Sequence, residues 1–414
     1  MPDRPFRISL GAALAAVGAL VLTSVGAVAD SSGDDLDTSN LKGSSQRFGD
    51  AKPHPGAKTV QLWTDQTTNP DDGVTYTYTM VGANPDSNQS SKIQVDIVPL
   101  NVNLLGKAFN GSDAVEGVLA SPLFQNADYS TTGATSTRGG GRGSGGPLSD
   151  GNDAAQLLDA TMRSQFNKAG TDYHLYLAAP IVHQPVTIDV PDSAGMTPTS
   201  RGGVTYAVID ETWFQPQAEA LNTQLSYLKP HRLALFVTKN VVLFADHNPG
   251  HCCVFGAHGA MDTTSSNGNG RQSIQTFVWA SWLTFGFFNP ATTWGTQDIS
   301  ALSHELTEWV NDPFGTNPTQ PWFSPIAPQY GCNALLETGD PTLNVGFSVG
   351  VNAFDQNGFT DGTYHIQDEA FLPWFMHTAP NTVSEPTQSG SGGRYTFLGD
   401  LNPFPFFHGP APSC

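Results

Sequence analysis

Charged side chains are scarce in this sequence. Only 13% of its 414 residues are Asp, Glu, Lys or Arg, about half the usual share of roughly 25%. Acidic residues outnumber basic ones, 37 to 18, and the formal net charge is −19. A surface that binds nucleic acid needs clustered Lys and Arg. The composition therefore argues against a nucleic-acid partner.

Long hydrophobic runs are missing beyond the first thirty residues. Arg4 and Arg7 precede an apolar run over residues 8–22, and Ala-Val-Ala at 27–29 has the pattern of a cleavage site. These features are typical of a signal peptide over residues 1–29, with a retained anchor as the alternative. We therefore expect a secreted protein, the periplasm being the other possibility, with no membrane span after signal removal.

Cysteine is also rare, and none of it lies in a Cys-x-x-Cys spacing. The four cysteines are Cys252, Cys253, Cys332 and Cys414. This spacing disfavours a thiolate metal site, and an exported chain favours disulfides. Because adjacent cysteines rarely bond each other, we predict two bridges that join 252 and 253 to 332 and 414. The sequence leaves the exact pairing open.

The apolar pattern mixes strand and helix periods without strict alternation of the two. Residues 93–105 alternate like a strand, residues 153–166 form an amphipathic helix, and residues 274–282 read as a strand. This order predicts an α+β fold with a long irregular C-terminal part. The predicted organisation is a signal peptide at 1–29, a flexible lead-in at 30–57, one domain at 58–378 with a mobile loop at 131–151, and a Ser/Gly-rich connector with an aromatic tail at 379–414.

Residues 303–312 carry the strongest functional pattern. On a helical wheel, His304, Glu305 and Glu308 lie on one side. The other side is apolar, with Ile299, Leu302, Leu306, Trp309 and Val310. The second histidine of a His-Glu-x-x-His zinc helix is missing, because Glu308 stands in its place. The charged side is interpreted as a metal or catalytic face, with a solvated helix face as the alternative.

A catalytic metal needs a third protein ligand and a carboxylate that takes a proton from water. Glu337 and Asp340, in a turn after Cys332, are the leading candidates for the third ligand. The alternatives are His251, His258 and His365. Glu305 is the predicted general base. The predicted cofactor is one divalent metal, zinc first, with manganese, calcium or iron as alternatives because the set is rich in carboxylates.

The helix resembles that of the gluzincin metalloproteases, which implies a zincin-like mixed sheet with an HExxE-bearing helix. In such enzymes an edge strand before the metal helix binds the substrate backbone. Residues 274–282 occupy that place, with an ordinary core strand as the alternative.

A second likeness spans residues 230–375. The motifs Ser-His-Glu-Leu-x-Glu, Asn-Asp-Pro, Glu-x-Gly-Asp and Cys-Cys-x-x-Gly-x-His-Gly resemble those of a group of uncharacterised exported bacterial proteins. That likeness implies a metal-dependent hydrolase. A fainter similarity to exordium-like secreted proteins implies that the same layout exists without the His-Glu pair.

The sequence therefore predicts a secreted metal-dependent hydrolase, a peptidase first, that acts on a peptide or polysaccharide substrate. The alternative is a non-catalytic extracellular surface or carbohydrate-binding protein, with a structural metal or none. The hypothesis of carbohydrate binding rests on aromatic residues among the last hundred positions. The alternative is that these residues pack in the core. These are Trp322, Phe323, Trp374, Phe375, Phe406 and Phe407.

Overall fold

The structure is a computed structural model. It describes residues 48–127, 129, 154–168, 170–200, 202–263, 272–285, 297–326, 331–343, 345–354, 362–380, 395–397 and 409–414. The predicted signal peptide, the first part of the lead-in and the predicted loop at 131–151 lie outside the described residues. So do residues 381–394 of the connector and residues 398–408 of the tail.

The described residues contain strands and helices in an intermingled order. The strands are β1 (Leu62–Thr68), β2 (Thr75–Val81), β3 (Ser90–Leu104), β4 (Lys107–Asn110), β5 (His174–Leu177), β6 (Ile181–Val182), β7 (Val186–Asp189), β8 (Gly195–Met196), β9 (Ala207–Asp210), β10 (Arg232–Lys239), β11 (Val241–Phe244), β12 (Cys252–Val254), β13 (Gly256–Asp262), β14 (Ile274–Trp282), β15 (Pro318–Phe323), β16 (Cys332–Leu335), β17 (Gly346–Val349) and β18 (Tyr364–Gln367). The α-helices are α1 (Val115–Ala120), α2 (Leu157–Gln165), α3 (Glu211–Gln224), α4 (Ser300–Asn311) and α5 (Leu372–Phe375). Among the described residues, no helix is both long and apolar enough to cross a membrane.

A mixed sheet forms the centre of the fold. Its strand order is β13-β14-β10-β3-β4, and β5, β6 and β7 also pair with β3. Strand β10 runs parallel to β14 and to β3, whereas β13 runs antiparallel to β14. The mixture of directions confirms the predicted α+β class.

Strand β10 shows why this sheet is covered on both faces. Its sequence is almost continuously apolar, as expected for a strand buried on both sides. Side chains alternate between faces along a strand. Leu235 and Val237 therefore join one core cluster, and Phe236 joins the other.

A different helix packs into each of these two clusters. The apolar side of α4, including Leu306 and Trp309, belongs to the first cluster. Phe214 and Ala218 of α3 belong to the second. The metal-type helix predicted from sequence therefore packs on one face of the central sheet.

The predicted substrate-binding edge strand is wrong. Strand β14, which covers residues 274–282, pairs with β10 on one side and with β13 on the other. All nine of its residues are buried, which agrees with the core-strand alternative. The physical reason is that Phe277, Val278 and Trp279 give β14 bulky apolar side chains on both faces. The antiparallel strand β13 takes the outer position in the strand order.

Candidate metal centre

Helix α4 is buried on every side. All of its residues from Ser300 to Asn311 are buried, and His304, Glu305 and Glu308 are each 0% exposed. The interpretation as a solvated helix face is therefore wrong. The hydrophobic wheel could not show this, because the charged side of α4 is covered by distant parts of the chain. The residues that meet it come from β13, from a turn after β16 and from β18.

The first part of the site lies within the helix itself. His304 and Glu308 are one helical turn apart, so their side chains meet. The Nε2 atom of His304 lies 3.0 Å from Oε2 of Glu308. The other oxygen of Glu308 accepts a hydrogen bond of 3.0 Å from the backbone N–H of Gly339.

His258 on β13 is the second histidine of the site. Its Nδ1 atom lies 3.3 Å from Oε2 of Glu305 and 3.7 Å from Oε2 of Glu308. Its Nε2 atom lies 3.0 Å from the backbone carbonyl oxygen of Asp312. A carbonyl oxygen only accepts, so Nε2 is assigned the hydrogen. The neutral ring then directs the lone pair of Nδ1 towards the two glutamates, as a metal-ligating histidine does.

The turn after β16 supplies the two predicted carboxylates. Oε2 of Glu337 lies 3.8 Å from Nε2 of His258. Oδ1 of Asp340 lies 3.8 Å from Nε2 of His304. Glu337 is fully buried, and the Asp340 side chain, 13% exposed, is the part of this group that solvent contacts. The structure thus brings all five predicted site residues together with His258.

Main-chain hydrogen bonds hold this turn against the end of α4. The N–H of Leu336 donates to the carbonyl oxygen of Asn317 at 3.0 Å. The Asp312 carboxylate accepts from the N–H groups of Thr316 and Asn317. Asp312 therefore organises the chain after the helix. It contributes its backbone oxygen, not its side chain, to His258.

The disulfides are not the ones predicted. The structure pairs Cys252 with Cys253 and Cys332 with Cys414. Cys332 lies opposite Phe323 in the β15–β16 pair, and the C-terminal residues run beside β15, where the N–H of Cys414 donates to Pro321. This pairing brings Cys414 to Cys332 and leaves the adjacent cysteines to each other. A bridge to the 252–253 segment therefore plays no part in placing Glu337.

Gln367 on β18 is a further part of the site that the sequence did not indicate. Its Nε2 atom donates to the carbonyl oxygen of Gly339 at 2.7 Å and lies 2.8 Å from Nδ1 of His304. The bond to Gly339 sets the amide orientation, so Nδ1 of His304 accepts and Nε2 is assigned the hydrogen. The hydrogen on Nε2 of His304 then points at Glu308. A metal ion bound at Nε2 would displace this hydrogen.

Two glycines allow the close packing of the site. A Cβ atom on Gly339 would lie 2.4 Å from Nδ1 of His304, and one on Gly256 would lie 2.3 Å from Cγ of Glu305. Only a residue without a side chain fits at these positions. A glycine inside a strand often marks such an approach. Gly256, two residues before His258 on β13, was therefore a sequence signal that this strand approaches Glu305 closely.

The other two histidines considered as ligands lie elsewhere. His251 is exposed at the surface, and its Nδ1 atom lies 3.1 Å from Asp246. His365 is buried, and its Nδ1 atom lies 2.7 Å from Oδ2 of Asp298. Neither belongs to the groups of described residues whose donor atoms could surround a metal.

Those metal-type groups contain only buried residues. One comprises His258, Glu308 and Glu337, the other comprises His304, Glu305 and Glu308, and within each group the donor atoms lie within 4.8 Å of one another. Each of these carboxylates lies within ion-pair distance of a histidine. An uncompensated buried carboxylate is costly. These buried His and Glu groups could therefore hold a metal ion.

Another buried carboxyl borders the centre. Burial raises the pKa of Glu369 well above its usual range, the Thr307 and Thr338 hydroxyls partly offset this, and the neighbouring Asp368 and Glu305 raise it further. Glu369 is therefore protonated at pH values where an ordinary glutamate is ionised.

The aromatic residues considered for sugar binding pack in the interior where they are described. Trp322 packs against Trp374 and Phe375, with ring centroids 5.7 and 5.3 Å apart. All three are buried, so they belong to the core. Phe406 and Phe407 lie outside the described residues.

Comparison with known proteins gives no relative for this chain. No protein-family model, curated protein or solved structure matches it. The chemistry of the site must therefore be argued from its own residues.

Proposed function

We propose that this protein is a metal-dependent hydrolase that acts on peptides. The observation that carries the proposal is the convergence on one buried point of His304 and Glu308, 3.0 Å apart, with His258, Glu305 and Glu337 around them. Imidazole and carboxylate together are the ligand types of catalytic zinc sites. Helix α4 packs against β14 and against the outer strand β13, which carries His258.

The donor set narrows the choice of metal. Calcium prefers a shell made of oxygen atoms alone, whereas this centre contains two histidines. Zinc accepts both imidazole and carboxylate, and manganese or iron tolerates a site rich in carboxylates. We therefore place zinc first and manganese or iron second. In this proposal the metal ligands come from His304, Glu308 and His258, together with Glu337 or Asp340.

Glu305 is the proposed general base. A bound divalent metal would lower the pKa of a coordinated water and polarise the substrate carbonyl. The Glu305 carboxylate lies beside both histidines without belonging to the His304–Glu308 pair. It is placed to take a proton from water and to return it to the leaving amine. The role needs an ionised carboxylate, which the amide of a Gln replacement cannot supply.

Two measurements test this function together. Metal analysis of the purified protein should find a stoichiometric divalent metal, and peptide hydrolysis should require it. Glu305→Gln should lower kcat at least a hundredfold, the scale of general base catalysis, and should retain the metal. Glu211→Gln serves as the matched control, because Glu211 is a buried glutamate on α3. Hydrolysis that is equally fast in Glu305→Gln would contradict the assignment.

A structural metal centre is the second candidate function. It is favoured by the complete burial of His258, His304, Glu305, Glu308 and Glu337, each 0% exposed. Closed coordination is typical of structural sites, whereas catalytic sites keep an open position. In that case metal removal should lower the thermal unfolding midpoint, and the metal-loaded wild-type protein should hydrolyse no peptide. The carbohydrate-binding form of this candidate loses its support from Trp322, Trp374 and Phe375, which are core residues.

A further inference from the structure

We propose that the centre holds two divalent cations that share Glu308 as a bridging ligand. This inference rests on the proposed metal-binding function and concerns the number of ions. In the arrangement, His258 and Glu337 bind one cation and His304 and Asp340 bind the other. Glu308 lies between them, with His258 Nδ1 at 3.7 Å and His304 Nε2 at 3.0 Å from its Oε2 atom.

The donor atoms fall into two groups that share one residue. His258, Glu308 and Glu337 form the first group, and His304, Glu305 and Glu308 form the second. Ligand atoms bound to one metal at roughly 2 Å must lie within about twice that distance of each other. Glu308 is the common member of the two groups. A shared carboxylate is compatible with a two-metal site, whose ions lie about 3.5–4 Å apart.

The charge of the site favours a second cation independently. Glu305, Glu308, Glu337 and Asp340 carry four negative charges when they are ionised, and neutral histidines offset none of them. One divalent cation would offset two of these four charges, and two divalent cations would offset all four, in a site whose glutamates are fully buried. Because buried charge is costly unless it is compensated, the second cation stabilises the ionised form of the whole cluster.

The surroundings of His258 and His304 are compatible with each histidine binding a different cation. His258 is oriented from behind by the carbonyl oxygen of Asp312, and His304 by the amide of Gln367. His258 thus donates to a carbonyl oxygen, as metal-binding histidines commonly do, whereas His304 accepts from Gln367, so the two imidazoles are oriented by different parts of the chain. Glu305 faces both groups, since it lies 3.3 Å from Nδ1 of His258 and belongs to the His304 group. It can accept a proton from a water shared by the two ions.

Metal stoichiometry decides the proposal. The metal-free full chain is dialysed against Zn²⁺ and, separately, Mn²⁺, and the bound metal per chain is measured. We expect about two ions in the wild type and in the Glu211→Gln control, and about one in Glu337→Gln and in Asp340→Asn. A wild type that saturates at one ion overturns the two-cation inference and leaves the proposed function standing. A wild type that binds none overturns both.

A measurement on the wild type alone guards against variants that fail to fold. The Mn²⁺-loaded protein is examined by electron paramagnetic resonance during a metal titration. Two bridged ions should give a spin-coupled signal that grows with the second equivalent. Two equivalents that give only the spectrum of isolated Mn²⁺ would overturn the shared Glu308. Two ions retained by both Glu337→Gln and Asp340→Asn would overturn the ligand assignment.

Discussion

Two buried histidine–carboxylate clusters lie against the same helix. At the start of α4, His365 faces Asp298 at 2.7 Å. On the charged side of α4, opposite its apolar side, His258 and His304 face Glu305, Glu308, Glu337 and Asp340. Both clusters are buried except for the Asp340 side chain, which is 13% exposed.

The two clusters differ in their balance of charge. Asp298 has one histidine for its one carboxylate, and it also accepts hydrogen bonds from the backbone N–H groups of Ile299 and His365. The candidate metal centre has four carboxylates for two histidines. Since an ion pair is satisfied within the protein only when its charges are matched, the Asp298 pair is complete. A cation bound at the candidate metal centre would offset its excess of carboxylates over histidines.

Metal removal should have the largest effect and should act on only one of the clusters. A ligand present at about 1,000 times its Kd stabilises a protein by roughly 4 kcal/mol. Chelation should therefore lower the free energy of unfolding of the wild type by about that amount. The measurement is urea unfolding with and without a chelator. The Glu308→Gln variant should be insensitive to the chelator, whereas an equal response in both proteins would locate the metal elsewhere.

Breaking the Asp298–His365 pair should lower the free energy of unfolding by slightly less than metal removal does. It should leave the metal in place. Asp298→Asn keeps the size of the side chain and removes its charge, which leaves His365 without its ionic partner. Disruption of a buried pair costs about 3 kcal/mol. Urea unfolding should show this loss, and metal analysis should give the same stoichiometry as the wild type. Loss of metal in this variant would mean that the two clusters are not independent.

The sequence predicted the candidate metal centre better than the Asp298–His365 pair. His304, Glu305 and Glu308 follow from helical spacing alone, because residues four apart share a helix face. Glu337 and Asp340 follow from a second acidic turn, and the structure brings them to the helix. The fold class follows from the mixture of apolar periods. Local patterns were sufficient wherever the contact lies within one element.

Contacts between distant elements were harder to predict. His258, Gln367 and the Asp298–His365 pair depend on sheet register and on crossovers, which no local period encodes. The disulfides and the edge strand were wrong for the same reason. Cys332 meets Cys414 because the C-terminal residues run beside β15, and β14 is interior because β13 adds outside it. Gly256, which lies against Glu305, was a local signal of such a long-range approach.

A smaller loss of stability should come from a substitution that alters packing at the metal centre and leaves its charge unchanged. In Gly339→Ala, the added Cβ would lie 2.4 Å from Nδ1 of His304. The Gly339 backbone has φ −82°, so alanine adopts it without strain. We expect a loss of about 2 kcal/mol from overpacking and a metal affinity about tenfold weaker or more. Calorimetric metal titration measures the second effect.

The matched control is Gly409→Ala. A Cβ at Gly409 meets nothing within 4 Å, so stability and metal affinity should both match those of the wild type. If Gly339→Ala binds metal as tightly as this control does, His304 is not held in place by the close approach of the Gly339 backbone.

A further expected effect is a pH dependence that comes from Glu369. Burial raises its pKa in the folded protein well above the usual value of 4.5, so the folded state holds a proton that the unfolded chain releases. The free energy of unfolding should therefore fall as the pH rises from about 4.5 towards the raised pKa. Glu369→Gln has no proton to lose and should lack this decline. Urea unfolding of the chelated proteins from pH 5 to pH 8 measures the difference, with exposed Glu116→Gln as the control. Parallel curves for the wild type and Glu369→Gln would show that Glu369 is ionised in both states, and the metal centre would then face a further negative charge.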